Sequence, residues 1–403
     1  MKPLSKHYDL IIIGGGIAGS TLAYVMSRRG ASTLVIEKER KFKDRVRGDG
    51  MTSWGAGLAR DLGIYDMLLG DCAHELPMLD IFVAGMQIAH RNLIETTPTR
   101  TPFLTFYHPA MQEALVSAAE RAGALVARGV QAYGLGKGVR PSVVVKDGDA
   151  TFEISARLVI GADGRTSAVR KWAGLPLVRD EDHLVIAGVL MEGIATSTKT
   201  ATLYFNPDLG KAAYFFPQRN GKVRAYAVHG VGRETKLSGN KQVPGFLELL
   251  EEAGAPSSAI LKAKAIGPLA SFNGATYWVP KPYKNGIALI GDAAASSDPV
   301  WGEGLSLALQ DVKLLTDKLS LDSDWSKAAE AYAKEHDIKF AVTHEVCNWY
   351  AEFFLRTGAQ ANLTRQRAFP KLAQDPTRLP DLFALGSSTP NDKTARARFF
   401  GDT

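Results

Sequence analysis

An α/β fold is predicted, with a parallel strand–helix–strand unit at the N-terminus, an inserted antiparallel sheet and helices toward the C-terminus. Three observations predict it. An apolar, β-branched run from Asp9 to Ile13 stops at Gly14-Gly15-Gly16 and leads into a helical stretch and a second apolar run. Two later segments, around Gly161-Ala162-Asp163-Gly164 and Gly291-Asp292-Ala293-Ala294, repeat the order of apolar strand, glycine–aspartate turn and helix. Between them lie short β-branched and aromatic runs separated by turn residues. With 403 residues the chain suits two to three domains of about 150 residues. A content of 45% hydrophobic and 22% charged residues excludes a wholly disordered, collagen-like or coiled-coil chain.

Asp9 to Ile13 reads as a parallel strand buried on both faces. Ile17 to Met26 reads as a helix that ends near Arg28-Arg29-Gly30, where basic residues and glycine suit a C-terminus. Ser32 to Ile36 is a second strand, closed by Glu37. The glycines of Gly14-x-Gly16-x-x-Gly19 divide the work of a dinucleotide turn. Gly14 permits the tight bend, Gly16 lets the backbone approach a pyrophosphate, and Gly19 lets helix and strand pack closely. The exposed N–H groups of the first helical turn, with Ile17 and Ala18 in it, then stabilise phosphate charge. Glu37 stands 18 residues past Gly19, where a carboxylate accepts both hydroxyl protons of an adenosine ribose. Lys38 and Val130 join the same candidate set. This turn alone does not separate NAD from FAD.

The later segments separate them. One runs from Leu158 to Arg170; the other runs from Gly286 through Asp292, Pro299, Gly302 and Gly304 to Asp311. With three motifs in this order, the chain resembles the FAD-dependent monooxygenases of the para-hydroxybenzoate hydroxylase type, the class A flavoprotein hydroxylases, over nearly all of residues 8 to 350. The resemblance implies a discontinuous Rossmann-like FAD-binding domain (1–176 and 281–356), an inserted antiparallel β-sheet substrate domain (177–280) and a C-terminal tail (357–403). It implies that Asp292 bonds the ribityl chain and that Asp163 and Gly164 sit near the pyrophosphate, Asp163 supporting both FAD and NAD(P)H use. Pro299, Gly302, Gly304 and Leu305 would lie along the isoalloxazine. The helix starting near Gly304 would aim its positive end at the flavin N1–C2 edge, where reduced flavin is anionic.

Two more segments fit the resemblance. Arg45 and Arg47 match its paired arginines after the second strand, and guanidinium forks suit phosphate oxygens. Gln112, in the stretch His108 to Leu115, matches a glutamine that bonds the flavin chain. His108 stands where arginine is usual and reads as a structural histidine. Ala295, Glu303 and Ser306 replace a usual histidine, glutamine and asparagine. These departures leave FAD binding intact but weaken any transfer of substrate from the type member.

In the middle, Thr200 to Phe205, Ala212 to Pro217 and Lys222 to Val228 read as strands, with a helix from Pro244 to Ala253. Tyr204, Phe205, Tyr214, Phe215, Phe216 and Trp278 compete for the pocket wall, and strand alternation sends roughly half of them elsewhere. Tyr214 and Phe216 are taken as pocket candidates with Trp301, which lies between Pro299 and Gly302. Residues 304 to 356 are strongly helical. Beyond Gly358, with prolines at 370, 376, 380 and 390, an irregular tail is expected, wrapped on the body or partly mobile.

The resemblance implies an FAD-dependent monooxygenase: NAD(P)H reduces FAD, O2 adds to form a flavin C4a-hydroperoxide, and one oxygen passes to a small aromatic or polycyclic substrate by hydroxylation or epoxidation. The flavin carries the chemistry, so no catalytic acid or base is singled out. The alternatives are an FAD-dependent reductase of the prenyl-reductase type, a flavin halogenase, whose Trp-x-Trp-x-Ile-Pro motif is absent, and a non-catalytic FAD-binding protein. No metal-ligand spacing is present. Cys72 and Cys347 form no disulfide framework and suit a reducing, cytoplasmic setting. The apolar run at 10–13 is too short for a signal peptide, and none reaches the ~18 residues of a membrane span. The net charge of +6 concentrates in 38–47 and 356–403, each +4, so no nucleic-acid partner is called for. The first cluster falls where the phosphates of FAD and NAD(P)H are expected.

Overall fold

Five strands lie side by side and parallel in the order Ile287–Leu289, Ala150–Gly161, His7–Ile13, Thr33–Glu37 and Leu125–Arg128. This computed structural model describes residues 5–46, 48–136, 138–147, 150–232 and 237–403. In the central strand Leu10 and Ile12 enter one apolar cluster, and Ile11 and Ile13 enter another on the opposite face. Both faces are covered, which is why the run is continuously apolar rather than alternating. The helix Ile17–Arg28 packs on the first face beside the helices His108–Arg121 and Gly304–Leu321.

Register positions the site. Ile13 lies beside both Ile36 and Gly161, and Gly161 lies beside Leu289. The three strands that carry the glycine motifs therefore end in one row. Their turns emerge together at the C-terminal edge, where the chain leaves the central strand in both directions and ligands bind in open α/β sheets.

A second sheet follows the order Lys264–Ala265, Leu184–Glu192, Val223–Gly230, Lys211–Pro217, Thr200–Asn206, Met78–Val83 and Met86–Asn92. The hairpin of the last two strands comes from the stretch that the sequence grouped with the first domain. Leu79, Ile81 and Val83 alternate inward and give it an apolar face, and it joins the sheet by parallel pairing with Thr200–Asn206. The helix Val243–Glu252 covers the opposite face with Phe246 and Leu250. Among the described residues, no helix is long and apolar enough to cross a membrane.

The tail is wrapped on the body, one of the two arrangements expected, but it is helical rather than irregular. Residues beyond Gly358 form the helices Ala359–Gln374, Leu382–Leu385 and Lys393–Phe399, and they are seated on the body. Pro376 opens a short helical turn, where its missing N–H costs nothing, so proline content is a poor guide here. Phe399 is fully buried against Phe353, at 4.8 Å between ring centres, and Arg91 grips both oxygens of Asp381 at 2.8 and 2.7 Å. We predict that Phe399→Ala destabilises this segment by about 3–5 kcal/mol. Limited proteolysis should then cut within 359–403 of the variant and spare the wild type; equal resistance would contradict the docking.

Candidate active site

The three turns interlock through glycine. Gly14 has φ of +107°, a conformation that favours glycine, and a Cβ there would lie 2.3 Å from the Ala162 carbonyl oxygen. A Cβ on Gly19 would lie 2.0 Å from the Gly14 carbonyl oxygen. Gly16 is different: a Cβ there would meet nothing within 4 Å. Its backbone faces open space, a cradle that a side chain would fill. The helix Ile17–Arg28 begins at this point with no side-chain cap, so its first N–H groups remain available to an anion.

The neighbouring side chains are held in place. Glu37 Oε2 accepts from the Gly15 N–H at 2.7 Å, and Oε1 accepts from the Glu39 N–H at 2.7 Å. The Val130 N–H donates to the Glu37 carbonyl at 3.1 Å. Asp163 turns its carboxylate into the helix Ala168–Trp172. It accepts from the N–H groups of Ala168 at 2.7 Å and Val169 at 3.1 Å, and from the Ser167 hydroxyl at 2.5 Å. The third turn is held from behind. The Gly291 N–H donates to Asp311 at 2.8 Å, the other Asp311 oxygen meets His336 Nδ1 at 2.8 Å, and the Tyr332 hydroxyl donates to the Leu289 carbonyl at 2.7 Å.

One cavity of about 1450 Å³ joins these parts. Its first end is walled by Gly14, Gly16, Ile17, Ala18, Glu37, Lys38, Val130, Asp163 and Gly164. Its middle is walled by Arg45, Gln112, Asp292, Pro299, Gly302, Gly304 and Leu305. Gly19 is not on the wall, and Arg47 lies outside the described residues. Arg45 is half exposed and paired with Glu39 at 2.9 Å. His108 Nδ1 donates to the Gly48 carbonyl at 2.8 Å, in keeping with a structural histidine, and also reaches the wall.

Beyond the middle the wall turns aromatic. Tyr214, Phe216 and Trp301 stand on it with Phe205, Tyr226 and Phe354. Phe205 stacks on Trp301 at 6.1 Å and on Phe354 at 4.8 Å. Alternation sends Tyr204 and Phe215 to the opposite face, against the helix that carries Phe246. Trp278 packs on Phe340 and His344 instead.

Two buried ionisable groups have no role assigned from the sequence: Arg224 is not singled out there, and Glu303 enters only as a replacement. Arg224, fully buried, places Nη2 2.8 Å from Asp44 and Nε 3.2 Å from Asp49, and the Tyr226 hydroxyl donates to Asp49 at 2.6 Å. Asp49 and Tyr226 both reach the cavity wall, so this network ties the loop after the second strand to the second sheet. The signal was present as an aspartate inside Arg47-Gly48-Asp49-Gly50, but its arginine partner lies 175 residues away. Glu303 is the other. It is fully buried just before Gly304, its Oε2 accepts from Trp54 Nε1 at 2.8 Å, and burial pushes its carboxyl up to about 8. A protonated glutamate has nearly the shape of the glutamine usual at that position.

Comparison with known proteins places these features in context. A family model described as FAD binding domain matches residues 7–331. Digeranylgeranylglycerophospholipid reductase 1 of Methanococcoides burtonii is 26% identical over 334 residues, covering 76% of this chain and 72% of that protein. The 6-methylpretetramide 4-monooxygenase of Streptomyces rimosus is 28% identical over 327 residues, covering 76% and 73%. The p-nitrophenol 4-monooxygenase PnpA of Pseudomonas putida DLL-E4 shares the fold with a TM-score of 0.77 at 16% identity, covering 93% of this chain and 96% of that one.

Two outcomes are expected. Gly16→Leu should leave the melting temperature of the cofactor-free protein nearly unchanged while abolishing FAD retention, whereas Gly19→Ala should lower both. Flavin absorbance after gel filtration, with calorimetry, separates them. Glu303 adds stability that is full below its ordinary carboxyl value of 4.5 and is lost as pH rises to about 8. Glu303→Gln should therefore match the wild type at pH 4 and melt several degrees higher at pH 8.5; parallel pH–melting curves would contradict this.

Proposed function

The chain belongs to the FAD binding domain family and is an FAD-dependent oxidoreductase, and from that premise we propose that it is a monooxygenase using NAD(P)H and O2 to hydroxylate or epoxidise a small aromatic or polycyclic substrate. One observation carries the reading: the glycine turns and the aromatic wall open into the same cavity, with the start of the Gly304 helix between them. The relative named as a monooxygenase supports it.

In this reading Gly14, Gly16, Ile17 and Ala18 hold the pyrophosphate, and Glu37, Lys38 and Val130 hold the adenosine end. Asp163 acts through the helix it caps, holding Gly164 in place, while Gln112 and Asp292 hold the ribityl chain. Arg45 offers its guanidinium to phosphate at the cavity rim. When bound, FAD supplies the redox chemistry between NAD(P)H and O2. The protein does the rest. Pro299 and Gly302 shape the face against which substrate stacks, while Trp301, Tyr214 and Phe216 exclude water from it. The N-terminus of the helix Gly304–Leu321 presents positive potential to negative charge in the cavity. Glu303, kept protonated by burial, adds no negative charge that would cancel it.

A second reading is a reductase of the prenyl-reductase type. The relative named as a digeranylgeranylglycerophospholipid reductase favours it. To decide, the FAD-loaded protein is given NADPH or NADH under air with phenols, indoles and polyketides. The monooxygenase reading expects substrate-stimulated nicotinamide oxidation and one 18O atom from 18O2 in the product. Saturation of a substrate double bond under anaerobic conditions, with no label incorporated under air, would replace it by the reductase.

A further inference from the structure

The cavity extends well past the aromatic wall. Strand register sets Tyr226 beside Tyr214, Tyr214 beside Leu203, and Leu203 beside Ile81. All four reach the cavity, so one face of four adjacent strands presents a continuous row to it. The row begins at Tyr226, which is bonded to Asp49 in the loop after the second strand, and runs outward to the hairpin Met78–Asn92. From the strand of Tyr226 to the outermost strand there are four gaps of about 4.8 Å, or roughly 19 Å in all. The C-terminal segment completes the wall with Phe369, Leu372, Leu379 and Phe383. At the outer end Met86 and Ile88 line the cavity while being 68% and 42% exposed, so the passage reaches the surface there.

A compact aromatic substrate would leave most of this passage filled with water against walls that are largely apolar, with Arg91, Arg378, Asp381 and Arg398 among the few charged groups on its outer part. We propose that it holds the long apolar chain of an amphipathic substrate, whose aromatic head sits among Phe205, Phe216 and Trp301. The chain lies along Leu203 and Ile81 and leaves past Met86 and Ile88. This deepens the reading of the inner cavity as the substrate site and rests on it. The tail segment then has a role in recognition: Arg91 and Asp381, at 2.7 Å, pin it over the passage beside the hairpin. The apolar residues exposed at the mouth are the place where such a chain would enter.

The probe is a series of 4-alkylphenols from methyl to dodecyl, titrated into the FAD-loaded protein and followed by the change in flavin absorbance. Each methylene buried should tighten binding about fourfold until the passage is full, after which affinity levels off. Ile81→Trp should obstruct the passage and cut the dodecyl-to-methyl affinity ratio by about tenfold or more. Ile88→Asp, at an exposed position that folding tolerates, should cut the same ratio by placing charge at the mouth. Affinity independent of chain length, no flavin perturbation by any member, or ratios unchanged in a folded, FAD-loaded variant would each overturn the proposal. Binding is read without turnover, so a chain-length dependence with no 18O incorporation would overturn only the reaction assigned above.

Discussion

The close approach of three backbones at Gly14 is the constraint on which the rest of the site depends. The Gly14 carbonyl oxygen lies where a Cβ on Gly19 would have to be, and the Ala162 carbonyl oxygen lies where a Cβ on Gly14 would be. These contacts bring the first helix down onto the sheet and lock the second motif against the first. Because parallel register ends the three strands in one row, one packing constraint fixes the phosphate cradle, the Asp163 cap and the Gly291 turn together. Each glycine matters for a different reason. Gly14 and Gly19 are needed because other backbone occupies the space, and Gly16 because nothing of the protein does.

Around this frame, charge is handled by burial. Asp311 is used twice, for the Gly291 N–H and for His336, and so props the third turn from inside the core. Arg224 is withdrawn completely from water, a costly arrangement unless it is paired and hydrogen-bonded, and it has two aspartates for that purpose. Glu303 has no cationic partner among the described residues, and burial settles its state by raising its proton affinity instead. The outcome is a helix start at which Glu303 itself adds no negative charge to oppose the positive end.

The substrate side is built from distant pieces of chain. The hairpin Met78–Asn92 precedes the strand it pairs with, Thr200–Asn206, by over a hundred residues, yet it extends the inserted sheet through parallel pairing. The last forty or so residues close over it. A cavity open at one end to the cofactor motifs and at the other to solvent therefore depends on contacts between the two extremes of the sequence. Its length, more than its chemistry, distinguishes it from a pocket for a single aromatic ring.

By itself the sequence determined the α/β class, the three strand–turn–helix motifs and the family, because each is a local pattern. Apolar runs, glycines and an acid at short spacing are dictated by one turn and its two neighbours. Most of the residues chosen for the cofactor reach the cavity for the same reason: glycine-rich turns at strand ends can lie only at the sheet edge. What tertiary structure alone decided is long-range. It turned Tyr214 and Phe216 into the cavity and Phe215 away, a choice that strand alternation leaves two-fold until one face is covered. It paired Arg224 with Asp49 and raised the proton affinity of Glu303, since burial is a property of the assembled core. It also made the proline-bearing tail a docked helical wall, because Phe399 finds its partners in Phe353 and Tyr350, about fifty residues back along the chain.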